Sequence, residues 1–162
     1  METSPDSASA PTGDAGCVVL MLGYPGMGKR TVGAEVARQL GGVLVDNALI
    51  NRPVLELFQW DGIEPLPAGV WDYVAPIRAT VMRAIEDLAP ATESFVFTNV
   101  LDDGPQGAAR YEAIRALATR RGSPFLAVML TCDIDIQVSR IDTPIAWRCG
   151  REPTRRDIAG TR

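Results

Sequence analysis

Nine consecutive residues near the start of the chain have the types and spacing to hold a phosphate: Gly23-Tyr24-Pro25-Gly26-Met27-Gly28-Lys29-Arg30-Thr31. Glycines let the backbone take positive φ and aim several N–H groups into one concavity, close to phosphate oxygens. A helix that begins directly after such a loop adds the partial positive charge of its N-terminus. Lys29 is the single lysine of the chain, against fifteen arginines. It stands where an ammonium reaches the β- and γ-phosphates of a nucleotide. Arg30 occupies the place that Ser or Thr takes in the common loop pattern, and the hydroxyl comes one residue later, at Thr31. A dinucleotide fingerprint G-x-G-x-x-G needs glycine at position 31, so Thr31 argues against a Rossmann dehydrogenase.

A loop of this kind works only between a buried strand and a helix. Cys17–Leu22 is a continuous apolar run, as in a parallel strand buried on both faces. A helix follows from about Lys29 to Leu40, with Val32, Val36 and Leu40 on one stripe, and Gly41-Gly42 stops it. Val43–Val45 reads as a second short strand ending in Asp46-Asn47. Phe95–Val100 and Phe125–Leu130 read as a third and a fourth buried strand. Between the second and third strands the pattern is helical. A short helix is expected after Pro53, with Val54, Leu57 and Phe58, and the turn-rich Asp61–Pro67 breaks the chain. Val70, Val74, Ile77, Val81, Ile85 and Leu88 then mark one helical face, with a bend expected at Pro76. Tyr111, Ile114 and Leu117 mark a helix ending at Arg120-Arg121-Gly122. Asp133 caps a last one with Ile134, Val138 and Ile141 facing inward. Alternating apolar strands and helices imply an α/β fold, a parallel sheet of about four strands covered on both faces.

The 162 residues fit one domain. The division expected is a disordered leader over 1–15, a core over 16–141 with a helical insertion over 47–92, and a lid-like or disordered basic tail over 142–162. The leader has neither the basic nor the apolar region of a signal peptide. A net charge of −4 argues against a nucleic-acid binder. No apolar run approaches the roughly 20 residues of a membrane helix. Three cysteines at unrelated spacings (Cys17, Cys132, Cys149) fit free thiols in a reducing cytoplasm. The absence of histidine removes imidazole metal ligands and histidine-based triads.

GYPGMGKRT resembles the G-x-P-G-x-G-K-x-T loop of adenylate kinase and related P-loop small-molecule kinases. In that loop, too, the hydroxyl follows one residue after the position next to Lys. GYPGMGKRTVGAEVARQL, LVDNALINRPVLELF, FVFTNVLDDG and LTCDIDIQVSRI, in that order, are similar to a bacterial group of uncharacterised ATP-binding proteins described as AAA-family or shikimate-kinase-like. That likeness spans roughly residues 17–141. It implies a P-loop three-layer α/β/α fold, ATP and Mg²⁺, and transfer of the γ-phosphoryl to a small-molecule acceptor. A nucleotide-binding or ATPase module, or a degenerate non-catalytic relative, are the alternatives.

On this resemblance Gly23 to Thr31 bind the nucleotide, with Lys29 catalytic. Thr31 touches phosphate and stands with Asp102 and Asp103, after the third strand, as the metal candidates; Asp102-Asp103 serves also as a turn before Gly104-Pro105. Asp46 takes the place of the acidic residue that contacts the acceptor in shikimate and gluconate kinases, with Asn47, Asn51 and Arg52 nearby. Asp46-Asn47 serves equally well as a strand-end turn. Arg78 and Arg83, off the apolar stripe, either meet an anionic substrate or are solvated. Arg140 and Arg148 either fill the position of lid arginines that close over the transferred phosphoryl group or belong to a basic tail. Arg155, Arg156 and Arg162 read as tail. The group's pattern has His after the Asn, where this chain has Ala48. The related kinases carry a fifth strand for which residues 142–162 offer no four-residue apolar run.

Overall fold

The computed structural model describes residues 15–58, 65–100, 102 and 104–141. The expectations for residues 1–14, for Asp61–Glu64, for Asp103 and for 142–162 lie outside the described residues. The elements are β1 (Val18–Gly23), α1 (Lys29–Gln39), β2 (Val43–Val45), α2 (Asn47–Leu55), a 3₁₀ turn (Glu56–Phe58), α3 (Val70–Leu88), β3 (Phe95–Val100), α4 (Pro105–Arg120), β4 (Phe125–Met129) and α5 (Ile134–Ile141). The four strands form one parallel sheet in the order β2-β3-β1-β4. Val18 lies opposite Phe95, and Gly23 opposite Val100, so β1 and β3 end together and open on one edge.

Two apolar layers hold the sheet between helices. On one side Val18, Leu20, Val45, Phe95 and Phe97 pack with Ile50, Val74, Ile85, Ile114 and Leu117 of α2, α3 and α4. On the other, Val19, Met21 and Val96 pack with Ala37 of α1. α1 meets the sheet through Gly33 and Ala37, with Val36 of the expected stripe packed beside them, whereas Val32 and Leu40 are exposed. The reason is close approach. A Cβ on Gly33 would stand 3.1 Å from Leu44 Cδ1 and 3.4 Å from Thr98 Cγ2, so the missing side chain brings the helix down onto β2 and β3.

Four other expectations are corrected. α2 starts at Asn47 rather than after Pro53, because Asp46 caps it by accepting from the Ala48 amide at 3.3 Å. Pro53 lies inside that helix, and it and Leu49, whose carbonyl it cannot bond, are on the exposed side. α3 spans Val70–Leu88 as expected, with Pro76 inside it, but Leu88 leaves its buried face at 81% exposure. β4 is a sheet edge rather than a buried strand, with Leu126 58% exposed, because no strand among the described residues lies beyond it. In α5 Ile134 is 51% exposed, the expected Val138 is half-buried, and the fully buried residue is Gln137. Asp133 does close the first turn of α5, accepting from the Asp135 amide at 2.9 Å. The side chain of Ile141 lies outside the description.

Candidate active site

The loop between β1 and α1 has the backbone that its glycines predict. Gly26 and Gly28 both sit at φ 82°, in the left-handed region open to glycine. Gly28 is the N-cap of α1 and offers no side chain to it, so the first turn of the helix faces the loop's concavity uncapped by any side chain. Lys29 lies across the loop and donates from Nζ to the Gly23 carbonyl at 2.7 Å and the Tyr24 carbonyl at 2.9 Å. An ammonium held in that way stands over the mouth of the cradle. Tyr24, Arg30 and Thr31 are exposed, while Pro25 and Met27 are half-buried.

α5 is tied to the same loop. Gln137, buried, donates from Nε2 to the Pro25 carbonyl at 2.8 Å. Arg140 donates from Nη1 to the Gly26 carbonyl at 3.4 Å. The sequence-predicted Arg140 thus stands at the phosphate loop, whereas Arg148 lies outside the described residues. Gln137 was not anticipated. A polar residue centred between Ile134 and Ile141 reads as the solvent side until the fold shows the loop behind it.

At the edge of the sheet, Asp46 is held by three elements. Its Oδ1 accepts from the Thr98 hydroxyl at 2.7 Å and from the Ala48 amide. Its Oδ2 lies 3.5 Å from Nε of Arg30, and the Asp46 side chain is only 13% exposed. The same Thr98 hydroxyl accepts the Asn47 amide at 3.0 Å. The non-hydroxyl residue of the loop therefore has a partner: Arg30 links the phosphate loop to the carboxylate that ends β2. Thr98 is the residue that sequence reasoning missed. Its one signal is a hydroxyl that, with Asn99, interrupts an otherwise apolar strand.

Next to Asp46, Arg78 of α3 reaches back across α2. Its Nη2 donates to Asn47 Oδ1 at 2.6 Å and to the buried Asn51 Oδ1 at 3.1 Å. Arg52, expected beside Asp46, pairs with Glu56 at 3.0 Å along its own helix. Asp102 is engaged at both oxygens. Oδ1 accepts from the Gly104 amide at 2.8 Å, and Oδ2 pairs with Arg110 of α4. This carboxylate closes the turn into α4, and the Arg110 guanidinium offsets its charge. Among the described residues no three of His, Cys, Asp and Glu cluster to hold a metal ion.

No protein-family model matches the chain, and no curated protein matches it. Solved structures do. A candidate kinase from Chloroflexus aurantiacus J-10-fl superposes with a TM-score of 0.63 at 14% identity, over 86% of this chain and 72% of that one. A gluconokinase from Sinorhizobium meliloti 1021 superposes at 0.50 and 19% identity, over 83% and 71%. A shikimate kinase from Acinetobacter baumannii matches at 0.48 and 16% identity, over 92% and 77%. The chain has the fold of the P-loop small-molecule kinases. At these identities the likeness extends to the fold, and the chemistry must be argued from this chain's own residues. Among the described residues no helix is long and apolar enough to cross a membrane.

Proposed function

We propose that the protein is an ATP-dependent phosphotransferase acting on a small-molecule acceptor. The observation that carries the reading is the placement of a shielded carboxylate, Asp46, beside the phosphate loop through Arg30. A nucleotide-binding module needs the loop and a cap for α2, but gives no role to the Asp46 oxygen that faces the loop's Arg30. In the reaction the acceptor hydroxyl attacks the γ-phosphorus, its proton passes to Asp46 Oδ2, the bond between the γ-phosphorus and the bridging oxygen breaks, and ADP leaves. Lys29 turns from the Gly23 and Tyr24 carbonyls to the phosphates. The loop amides and the N-terminus of α1 hold the anion. Arg140 closes over the transferred group, where a cation offsets the charge of a loose transition state.

Magnesium fits this residue set as a passenger of the nucleotide. Bound with the nucleotide, Mg²⁺ would supply neutralisation of the negative charge on the phosphates, and one or two protein oxygens would suffice to hold it. Thr31 at the loop and Asp102 at the sheet edge would hold it. Asp102 could serve only through water or after releasing Arg110.

Two variants test the reading. Lys29→Ala should abolish the rise in melting temperature that Mg·ATP gives the wild type, about 2.7 kcal/mol of stabilisation at a hundredfold excess over Kd. Asp46→Asn should keep that rise and lose acceptor phosphorylation by ~10²–10⁴-fold, the usual size of a general-base effect. Equal thermal shifts in wild type and Lys29→Ala would remove the loop assignment. Transfer by Asp46→Asn at the wild-type rate would reduce Asp46 to a helix cap.

A further inference from the structure

We propose that Gln137 is a positioning residue for the phosphate loop: by holding the Pro25 carbonyl toward the interior, it turns the Gly26 amide outward to meet a phosphate. This role rests on the phosphate-binding half of the proposed function and adds to it a residue outside the loop. The sheet sets the path. β4 pairs with β1, and just past its end the Leu130 amide donates to the Leu22 carbonyl at 2.8 Å. α5 begins soon after, at Ile134, so it lies beside the loop that leaves β1. Asp133 closes the first turn. Its side chain accepts from the Asp135 amide at 2.9 Å, and its carbonyl accepts from the Gln137 amide at 3.0 Å. The backbone of Gln137 is therefore fixed independently of its side chain.

α5 is turned against its own hydropathy. Ile134 and Ile136 are exposed, and Gln137 is buried. Burial strips a carboxamide of water, and only hydrogen bonds offset that cost. Nε2 finds its acceptor in the Pro25 carbonyl at 2.8 Å. Apolar packing alone would have turned an isoleucine to this place, so the bond to the loop is what orients the helix.

The effect of that bond follows from peptide geometry. The Pro25–Gly26 peptide is trans and planar, so its C=O and N–H point in opposite directions. A buried donor draws the Pro25 oxygen inward, and the Gly26 N–H faces away from the interior. The local chain does little to fix that plane. It turns about Pro25 ψ, which the proline ring leaves free, and Gly26 φ, which stands at 82° and in glycine takes either sign. Flipped, the same peptide would offer a carbonyl oxygen to the phosphate in place of a donor. The next peptide is held by longer bonds: Arg140 reaches the Gly26 carbonyl at 3.4 Å, and the Met27 amide turns back to the Tyr24 carbonyl at 3.4 Å. Gln137 thus makes the short, buried contact that selects the orientation of the loop.

The test compares full-length wild type with Gln137→Met and Gln137→Leu, two apolar fillings of different shape that donate nothing. Val138→Ala is the packing control; it trims the half-buried neighbour on α5 and leaves the bond in place. Mg·ADP and Mg·pyrophosphate are titrated calorimetrically into each protein, well below its Tm, with folding checked by circular dichroism. Gln137→Met and Gln137→Leu should bind both probes about tenfold or more weakly, the size expected for one hydrogen bond to a charged group. Val138→Ala should lower Tm and keep the wild-type affinity. In ¹⁵N-labelled protein, saturation with Mg·pyrophosphate should shift the Gly26 amide resonance in wild type and in Val138→Ala, and should leave it near its unbound position in Gln137→Met. Wild-type affinity in both apolar variants overturns the proposed role and leaves the phosphate loop standing. Equal weakening by Val138→Ala and Gln137→Met also overturns it, since packing of α5 would then be all that the loop needs. A Gly26 resonance that stays still when wild type binds pyrophosphate overturns it without any variant. Binding of neither probe by wild type removes the phosphate-loop reading, and this role with it.

Discussion

Thr98→Val replaces one hydroxyl by a methyl of nearly the same size and should loosen the carboxylate on which the proposed chemistry depends. Thr98 is 4% exposed. Its Oγ1 donates to Asp46 at 2.7 Å and accepts from the Asn47 amide at 3.0 Å, so valine removes two bonds at once. A hydrogen bond to a charged group contributes about 1.5–3 kcal/mol, and a buried amide left unpaired costs about 1–3 kcal/mol. Partial relaxation of the cap toward Ala48 and Arg30 should bring the total to about 3 kcal/mol. For a chain of this size each kcal/mol shifts Tm by about 2–4 °C, so a fall of about 6–12 °C is expected by calorimetry. Thr98→Ser is the control, since it keeps both bonds and loses only a methyl, a cost of about 1 kcal/mol. Acceptor phosphorylation should fall further in Val than in Ser, with the ATP-induced thermal shift kept in both. A Thr98→Val protein that melts with the wild type, or above Thr98→Ser, would refute the argument.

Arg30→Gly should leave nucleotide binding nearly intact while slowing acceptor phosphorylation, because Arg30 faces Asp46; Thr31→Ala should weaken ATP binding more, and titration calorimetry orders the two. Arg121→Ala should destabilise by about 2–4 kcal/mol in urea unfolding. Its guanidinium lies 5.0 Å from the Phe95 ring centre and donates to the carbonyls of Ile85 and Pro90 at 2.6 and 2.7 Å, fastening the end of α3 to the loop before β3. Hydrogen bonds from Arg38, and then from Gln39, hold the Glu35 carboxyl down to about 2. The lowered value means that its favourable contacts are complete above the ordinary 4.5 and are lost as pH falls through about 2. An NMR titration should show that midpoint in the wild type and a return toward 4.5 in Arg38→Ala.

The sequence by itself determined the strand–loop–helix at Gly23 to Thr31, the four parallel strands and the order of elements. These are local: apolar runs, glycines and a single lysine act within a few residues of one another, and periodicity reports them directly. The Asp133 cap was legible on the same grounds. Which face each helix buries was not. The Val32 and Leu40 stripe lost to Gly33 because closeness to Leu44 and Thr98 depends on a sheet assembled from residues far apart in the chain. Ile134 lost to Gln137 for the same reason, since the acceptor of Gln137 is the Pro25 carbonyl, 112 residues away. The partners that tie the candidate site to the rest of the fold are of this long-range kind. Thr98 stands 52 residues from Asp46, and Arg78 stands 31 from Asn47. Sequence names the groups that can do chemistry, whereas which of them share a carboxylate, or reach the loop, is fixed only when sheet order and helix packing bring distant segments together.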